Sequence, residues 1–377
     1  MKIAHICPFV GEQMGGSERY VWNLAEAQSA EHEVHIYTTT KNFDAVGIMD
    51  YDGITIHRSF TPVVVWNINP ITVMLHSLTK SDADLFHIHS HLYTTSNQAA
   101  LAKLLTKKKS ILQLHGGVGL PPYDAGLVKL LAKQIYSKSF GSFTIHHSDI
   151  IASVSRVDLD KIHEIYGIAA EHLRYIPNMV DTNIFKPCED GPPEDPILLY
   201  LGDLEPWKGI GTLINWLKSM NIDSHEKIKM KFAGQGSYMQ SLKDLQGILA
   251  RKGNGVSVDI LGPIEHKDVP RVLKDSTALV LPSYWEAMPT VVLEAMASGV
   301  PVISTKVGDI PYIIRNRETG LLIERDLKSF ESAVDSILNN KPLVSSIINK
   351  ARDLIEKDYT LTNTCNIVRA VYGEVAS

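Results

Sequence analysis

In the stretch PSYWEAMPTVVLEAMASGVPVIST, two carboxylates and a run of backbone amides fall at spacings suited to a ligand rich in hydroxyls and negative charge. Glu286 ends a loop, Pro289 is placed to open a helix and Gly299 to close it, which puts Glu294 about two turns in. One carboxylate at a helix mouth and another on its side can each accept a pair of hydroxyl hydrogens. The N–H groups of Ala287, Met288 and Thr290 address anionic or hydroxyl oxygens. Two glutamates on an arbitrary helix are usually solvated, but the apolar residues around Glu294 fit that poorly. A sugar joined to a ribose diphosphate would satisfy every one of these groups.

Gly15 and Gly16 follow the first strand-like run and start a helix, where bare Cα atoms let the backbone approach an anion. That loop could hold a diphosphate, or serve only as a tight turn. It carries no G-x-G-x-x-G, and the next strand ends in Thr38, Thr39 and Thr40 where a dinucleotide fold needs a ribose-binding acid. A dehydrogenase reading is weakened accordingly.

Histidines form a second group. His115 ends a strand-like run at a loop, where parallel sheets present ligand groups. His87, His89 and His91 alternate, so a strand would put all three on one face, a geometry open to metal. We read no metal site there. Asp82 with Asp84 and Asp158 with Asp160 form D-x-D strings; the first precedes a strand and the second opens a helix, where acids act as caps. Lys107, Lys108 and Lys109 are read as a helix end and, with Lys103, Lys129, Lys133 and Lys138, make the first half locally basic. A solvated surface is the default, and contact with anionic lipid head groups the functional alternative.

The elements that must position these groups alternate in type. Strand-like KIAHICPFV, EVHIYTTT, DLFHIHS, SILQLHG and DIIASVS are separated by helix-like SERYVWNLAEAQSA, SNQAALAKLLTKKK and GLVKLLAKQIYSKSF. IPNMVDTNIFKPCEDGPPEDP is rich in Pro, Asp, Asn and Gly and reads as a linker. PILLYLG, KIKMKFA, VSVDILG, ALVLPS and PVIST continue the pattern beyond it. At 377 residues the chain exceeds one core, so we expect an α/β first domain over 1–178, a linker over 179–196 and an α/β second domain over 197–355. Residues 356–377 are left as helices that cap a domain or cross back. A net charge of −5 disfavours nucleic acid. Cys7, Cys188 and Cys365 lack metal spacing and fit a reducing compartment, and no signal-peptide or membrane-spanning run is evident, so a cytoplasmic protein is expected.

With these pieces in order, the chain resembles the retaining GT-B glycosyltransferases of glycosyltransferase family 4, whose hallmark is two glutamates separated by seven residues. MGGSERYVWNLAEA, DLFHIHSH, ILQLHGG, IASVS, YIPNMVDTNIF, YLGDLEPWKGIGTLI, FAGQGS, VSVDILGPI and the block from Glu286 to Thr305 cover it nearly end to end. The resemblance implies two Rossmann-like doubly wound domains facing across a cleft. It gives Glu286 the hydroxyls of the donor sugar, Glu294 the ribose diol, Lys208 the diphosphate and His115 the donor sugar. It also implies metal independence, leaving His89 and His91 for the acceptor side. The family usually carries arginine where this chain has Asp203, an acid that repels a diphosphate unless it turns away or pairs with a cation.

The expected reaction is transfer, with retention, of a sugar from a UDP- or GDP-linked donor to an acceptor hydroxyl, with no cofactor beyond the co-substrate. Lys208, the Gly15 and Gly16 backbone and the helix opening at Thr290 would stabilise the leaving charge, and backbone near Gly262 to Ile264 would hold the base. Glycan, lipid-linked and small-molecule acceptors all remain open, as does peripheral membrane contact. So do a catalytically inactive nucleotide-sugar-binding or scaffold protein and an epimerase or phosphorylase of the same fold.

Overall fold

A computed structural model describes residues 1–10, 15–65, 69–119, 127–187, 193, 195–220, 227–253 and 255–376. Cys188, Lys129's side chain and part of the loop before Gly15 lie outside the described residues. The chain forms two compact units, one of Met1–Asn178 with Leu361–Ser377, the other of Met179–Thr360. The Pro- and Asp-rich segment after residue 178 thus counts with the second unit. Of the two closing helices, Lys341–Asp358 stays in the second unit and Leu361–Ala376 belongs to the first. Among the described residues no helix is long and apolar enough to cross a membrane.

The first unit contains β1 (Lys2–Ile6), β2 (Glu33–Thr40), β3 (Gly47–Tyr51), β4 (Ile54–Phe60), β5 (Val63–Val65), β6 (Asn69–Ile71), β7 (Leu85–His89), β8 (Lys109–Leu114), β9 (Ile150–Ser153) and β10 (Leu173–Tyr175). Eight of these make one sheet of order β10-β9-β8-β7-β1-β2-β4-β3, parallel except for the β3 edge. The order reverses between β1 and β7, and in such sheets ligands bind beyond the carboxyl ends of the strands at the reversal. Gly15 and His115 follow strands there, and His89 ends one.

Alternation along these strands sorts the side chains. Ala4 and Ile6, Phe86 and Ile88, Leu112 and Leu114 face one way into an apolar core with Met74, Leu78, Ala99 and Ile145. His5, His87, His89 and Gln113 therefore face the other way, into a buried polar layer beneath helices Gly16–Ser29 and Leu361–Ala376.

Two expectations are corrected here. Helix Thr94–Thr106 ends before the triple lysine: Lys107 adopts a left-handed backbone and Lys109 already begins β8. Lys103 pairs with Asp149 at 2.8 Å and Lys108 donates to the Ala83 carbonyl at 2.6 Å, so neither is a loose surface charge. His91 does not share the face of His87 and His89, because Ser90 takes a φ of 70° and turns the chain out of the strand.

The second unit has β11 (Ile197–Leu201), β12 (Ile228–Ala233), β13 (Val256–Gly262), β14 (Ala278–Leu281), β15 (Val302–Thr305) and β16 (Leu321–Ile323) in the order β13-β12-β11-β14-β15-β16, all parallel. Counted within the unit this is 3-2-1-4-5-6, the Rossmann order, with its reversal between β11 and β14. β16 was not read from the sequence, its three residues being too few to show a period.

Candidate active site

Lys208 and Glu286 stand on the two loops that leave the sheet at that reversal. After β11 the chain makes a single helical turn, Pro206–Lys208, and enters helix Ile210–Ser219. After β14 it runs through Pro282–Pro289 into helix Thr290–Ala297. The Lys208 Nζ lies 2.8 and 2.9 Å from the two Glu286 carboxylate oxygens, and the Ser283 hydroxyl donates to the first of them at 2.7 Å. Glu286 is only 6% exposed and Lys208 19%, so the pair is largely withdrawn from water.

Glycines hold the loops this close. Gly209, at φ 75°, packs so tightly on Pro282 that a Cβ would fall 2.0 Å from its carbonyl oxygen. Gly308, at φ 52°, does the same against the Glu286 carbonyl, also at 2.0 Å. The Tyr284 amide bonds the Trp207 carbonyl at 2.8 Å and the Asp309 amide bonds that of Ala287 at 2.9 Å. Three loops are thereby tied around one carboxylate.

Pro289 takes the cap position itself, with Thr290 the first helical residue and Gly299, at φ 72°, just past the end. Glu294 is thus the fifth helical residue, a little over one turn in, where two turns had been expected. It is buried, and its Oε1 lies 3.1 Å from His266 Nε2. His266 follows Gly262 and Ile264 in the loop leaving β13, so the groups read as base- and ribose-binding do share one corner of the unit. The amides of Ala287 and Thr290 donate to no other described residue, and both precede or open the helix, at its positive end. Asp203 is exposed; its backbone carbonyl accepts from the Tyr200 hydroxyl at 2.6 Å.

In the first unit a cavity of about 210 Å³ is lined by Cys7, Ser17, Glu18, His89, Tyr93 and His115, among others. His89 and His115 are brought together, Nδ1 of the former 3.0 Å from Nε2 of the latter, whereas His91 lies outside that lining, buried with both ring nitrogens unpartnered among the described residues. Gly15 has φ −73°, so no left-handed turn explains it; a Cβ there would meet the Glu18 carboxylate at 2.8 Å.

Burial holds the imidazoles neutral. His115 is pushed down to about 3, His5 and His91 to about 4, and His87 and His89 well below the usual range. Ring nitrogens of His5, His87 and His89 lie within 4.8 Å of one another, a set that includes His5 in place of the expected His91. The His5–His89 separation of 3.0 Å is that of a hydrogen bond.

Ser283, Gly209, Gly308 and His266 were missed in the sequence, as were His5, Gln28 and Tyr372. A usable signal existed for His5: a polar residue between Ala4 and Ile6 in a buried strand must find a partner. Gly209 and His266 carry none, because their partners lie in distant loops.

Comparison with known proteins agrees with this fold. The family Glycosyltransferase Family 4 matches residues 14–184 and Glycosyl transferases group 1 matches residues 183–354. Glycogen synthase of Mycobacterium tuberculosis is 26% identical over 245 residues, 64% of this chain but only 58% of that protein, less than two thirds of its length. Sucrose-phosphate synthase of Thermosynechococcus elongatus superposes with a TM-score of 0.77 at 20% identity, covering 99% of this chain and 98% of that one. The Anabaena protein HepE, solved with UDP and glucose, does so with a TM-score of 0.76 at 15% identity, covering 99% and 100%. Two adjoining family matches, the paired doubly wound sheets and the full-length likeness to these structures establish that the chain belongs to the GT-B glycosyltransferases of family 4 and group 1.

Proposed function

We propose that the protein transfers a sugar, with retention and without a metal, from a nucleoside diphosphate sugar to an acceptor hydroxyl. The observation that carries this is the buried Lys208–Glu286 pair at the strand-order reversal, beside a helix mouth whose Ala287 and Thr290 amides donate to no other described residue. On binding, the donor's diphosphate would draw on the Lys208 charge and the Ala287 and Thr290 amides, while Glu286 accepts from sugar hydroxyls and Glu294 from the ribose. The bond from the anomeric carbon to the phosphate oxygen breaks as the acceptor oxygen attacks from the same face, and the acceptor proton passes to the departing phosphate. His115 is read as a further contact of the donor sugar.

The HepE structure, which holds UDP, favours a UDP-linked donor. Leu131, Ile135 and Phe140 are exposed beside Lys133 and Lys138, which favours a lipid-linked acceptor met at an anionic membrane surface.

The test is turnover of UDP- and GDP-sugars with EDTA present and the product's anomeric configuration read by NMR. Binding of a nucleotide that Glu294→Ala weakens supports the site. No binding by any nucleotide moves the reading to an inactive scaffold, and an isomerised or phosphorolysed sugar moves it to the other enzyme classes.

A further inference from the structure

We propose that Gln28 is a positioning residue: acting through His5 and His89, its side-chain carbonyl decides which nitrogen of His115 carries the proton and leaves Nδ1 of His115 as an acceptor for a sugar hydroxyl. The proposal rests on the reading of His115 as a donor-sugar contact.

The direction of the chain follows from what each atom can do. A neutral imidazole has one N–H and one lone pair. Gln28 Oε1 can only accept, so His5 Nε2, 2.8 Å away, donates to it. His5 Nδ1 is then bare and accepts, at 3.0 Å, from His89 Nε2. His89 Nδ1 is bare in turn and accepts, at 3.0 Å, from His115 Nε2. What remains is the Nδ1 lone pair of His115, buried and without a partner among the described residues, on a ring that lines the cavity.

Three further observations keep this order. The strand register sets His5 beside His87 and brings His89 next to them two residues along, so the rings stack in a fixed ladder. Burial keeps every ring neutral at physiological pH, so none can donate at both nitrogens. The Gln28 amide is itself oriented: its Nε2 donates to the Tyr372 hydroxyl at 3.1 Å, and that hydroxyl is 2.7 Å from His87 Nδ1, to which it can then donate. Turning the amide over would reverse all three imidazoles and leave a buried N–H on His115 with no acceptor, which folded proteins tolerate less readily than an unused lone pair.

Long-range proton–nitrogen correlation spectra of the full chain with nitrogen-15-labelled histidine read the tautomers directly. His115, His89 and His5 are expected with the proton on Nε2 in the wild type and in Gln28→Glu, whose carboxylate also only accepts. Gln28→Met offers no acceptor and is expected to give mixed tautomers at His115 and to lower kcat/KM about tenfold, the effect of one mis-set hydrogen bond. An Nδ1 proton on wild-type His115 overturns the proposal without any variant, as does an unchanged tautomer in Gln28→Met. So does stoichiometric zinc taken up by the wild type that displaces the His5–His89 bond. Expected tautomers with no response of His115 to any nucleotide sugar would instead sink the donor-sugar reading and leave the relay standing.

Discussion

The Lys208 ammonium meets both oxygens of Glu286, at 2.8 and 2.9 Å, in a setting where each would be costly to leave alone. Lys208→Ala strands a buried carboxylate and is expected to destabilise the fold by about 3 kcal/mol. Activity should fall about a hundredfold or more, through lost stabilisation of the leaving diphosphate. The double variant Lys208→Met with Glu286→Gln should recover much of the urea midpoint and none of the activity. Recovery of activity would show that the pair only holds the loops.

Gly308 and Gly253 both have positive φ, 52° and 62°, yet only at Gly308 would a Cβ strike backbone, the Glu286 carbonyl. Alanine at either position costs about 1 kcal/mol for the backbone conformation. Gly308→Ala should add a displaced Glu286 and weaken donor binding measured by calorimetry, while Gly253→Ala leaves affinity unchanged. Equal affinities would mean the loop yields without moving the carboxylate.

Asp203 is exposed on the loop that leads to Lys208. Replacing it by arginine changes the local charge by two, and nucleoside diphosphate binding should tighten several-fold at low ionic strength, with the gain shrinking as salt is raised. A salt-independent or absent gain would place Asp203 too far from the diphosphate to matter.

Stability should fall with acid over a defined window. His5, His91 and His115 titrate at about 4, 4 and 3 in the fold, against an ordinary value of 6.5. Below about pH 6.5 the unfolded chain therefore binds protons that the folded chain refuses, and stability present above that pH is lost as pH drops toward 4, by at most about 1.4 kcal/mol per unit for each ring. Among the described residues His91 has no partner for either nitrogen, so His91→Leu should remove its share of the slope with little loss at pH 7, as read from urea midpoints at pH 5 and 7. An unchanged slope would mean His91 is already protonated in the fold.

Much of this was legible in the sequence because it is local. Buried parallel strands are short apolar runs, and those ending at Ile6, His89, Leu114, Leu201 and Leu281 were found with the loops that carry chemistry. The Glu286 to Gly299 block could be placed at a helix mouth because proline and glycine punctuate it. What stayed hidden depends on pairing across the chain. Nothing near Glu294 names His266, 28 residues earlier, and nothing near Gln28 names Tyr372, 344 residues later. The His87, His89, His91 alternation misled because period two holds only while the strand lasts, and one residue with positive φ ended it.

The last helix, Leu361–Ala376, is a part of the first unit delivered after the whole of the second. On the ribosome, residues 179–360 form a contiguous stretch that can close as it emerges, whereas the polar layer of the first unit waits uncovered until Tyr372, made after that stretch, arrives. The histidine ladder is therefore completed only after the second unit has been made. A chain cut at Thr360 would carry every residue of the second unit and an unfinished first one.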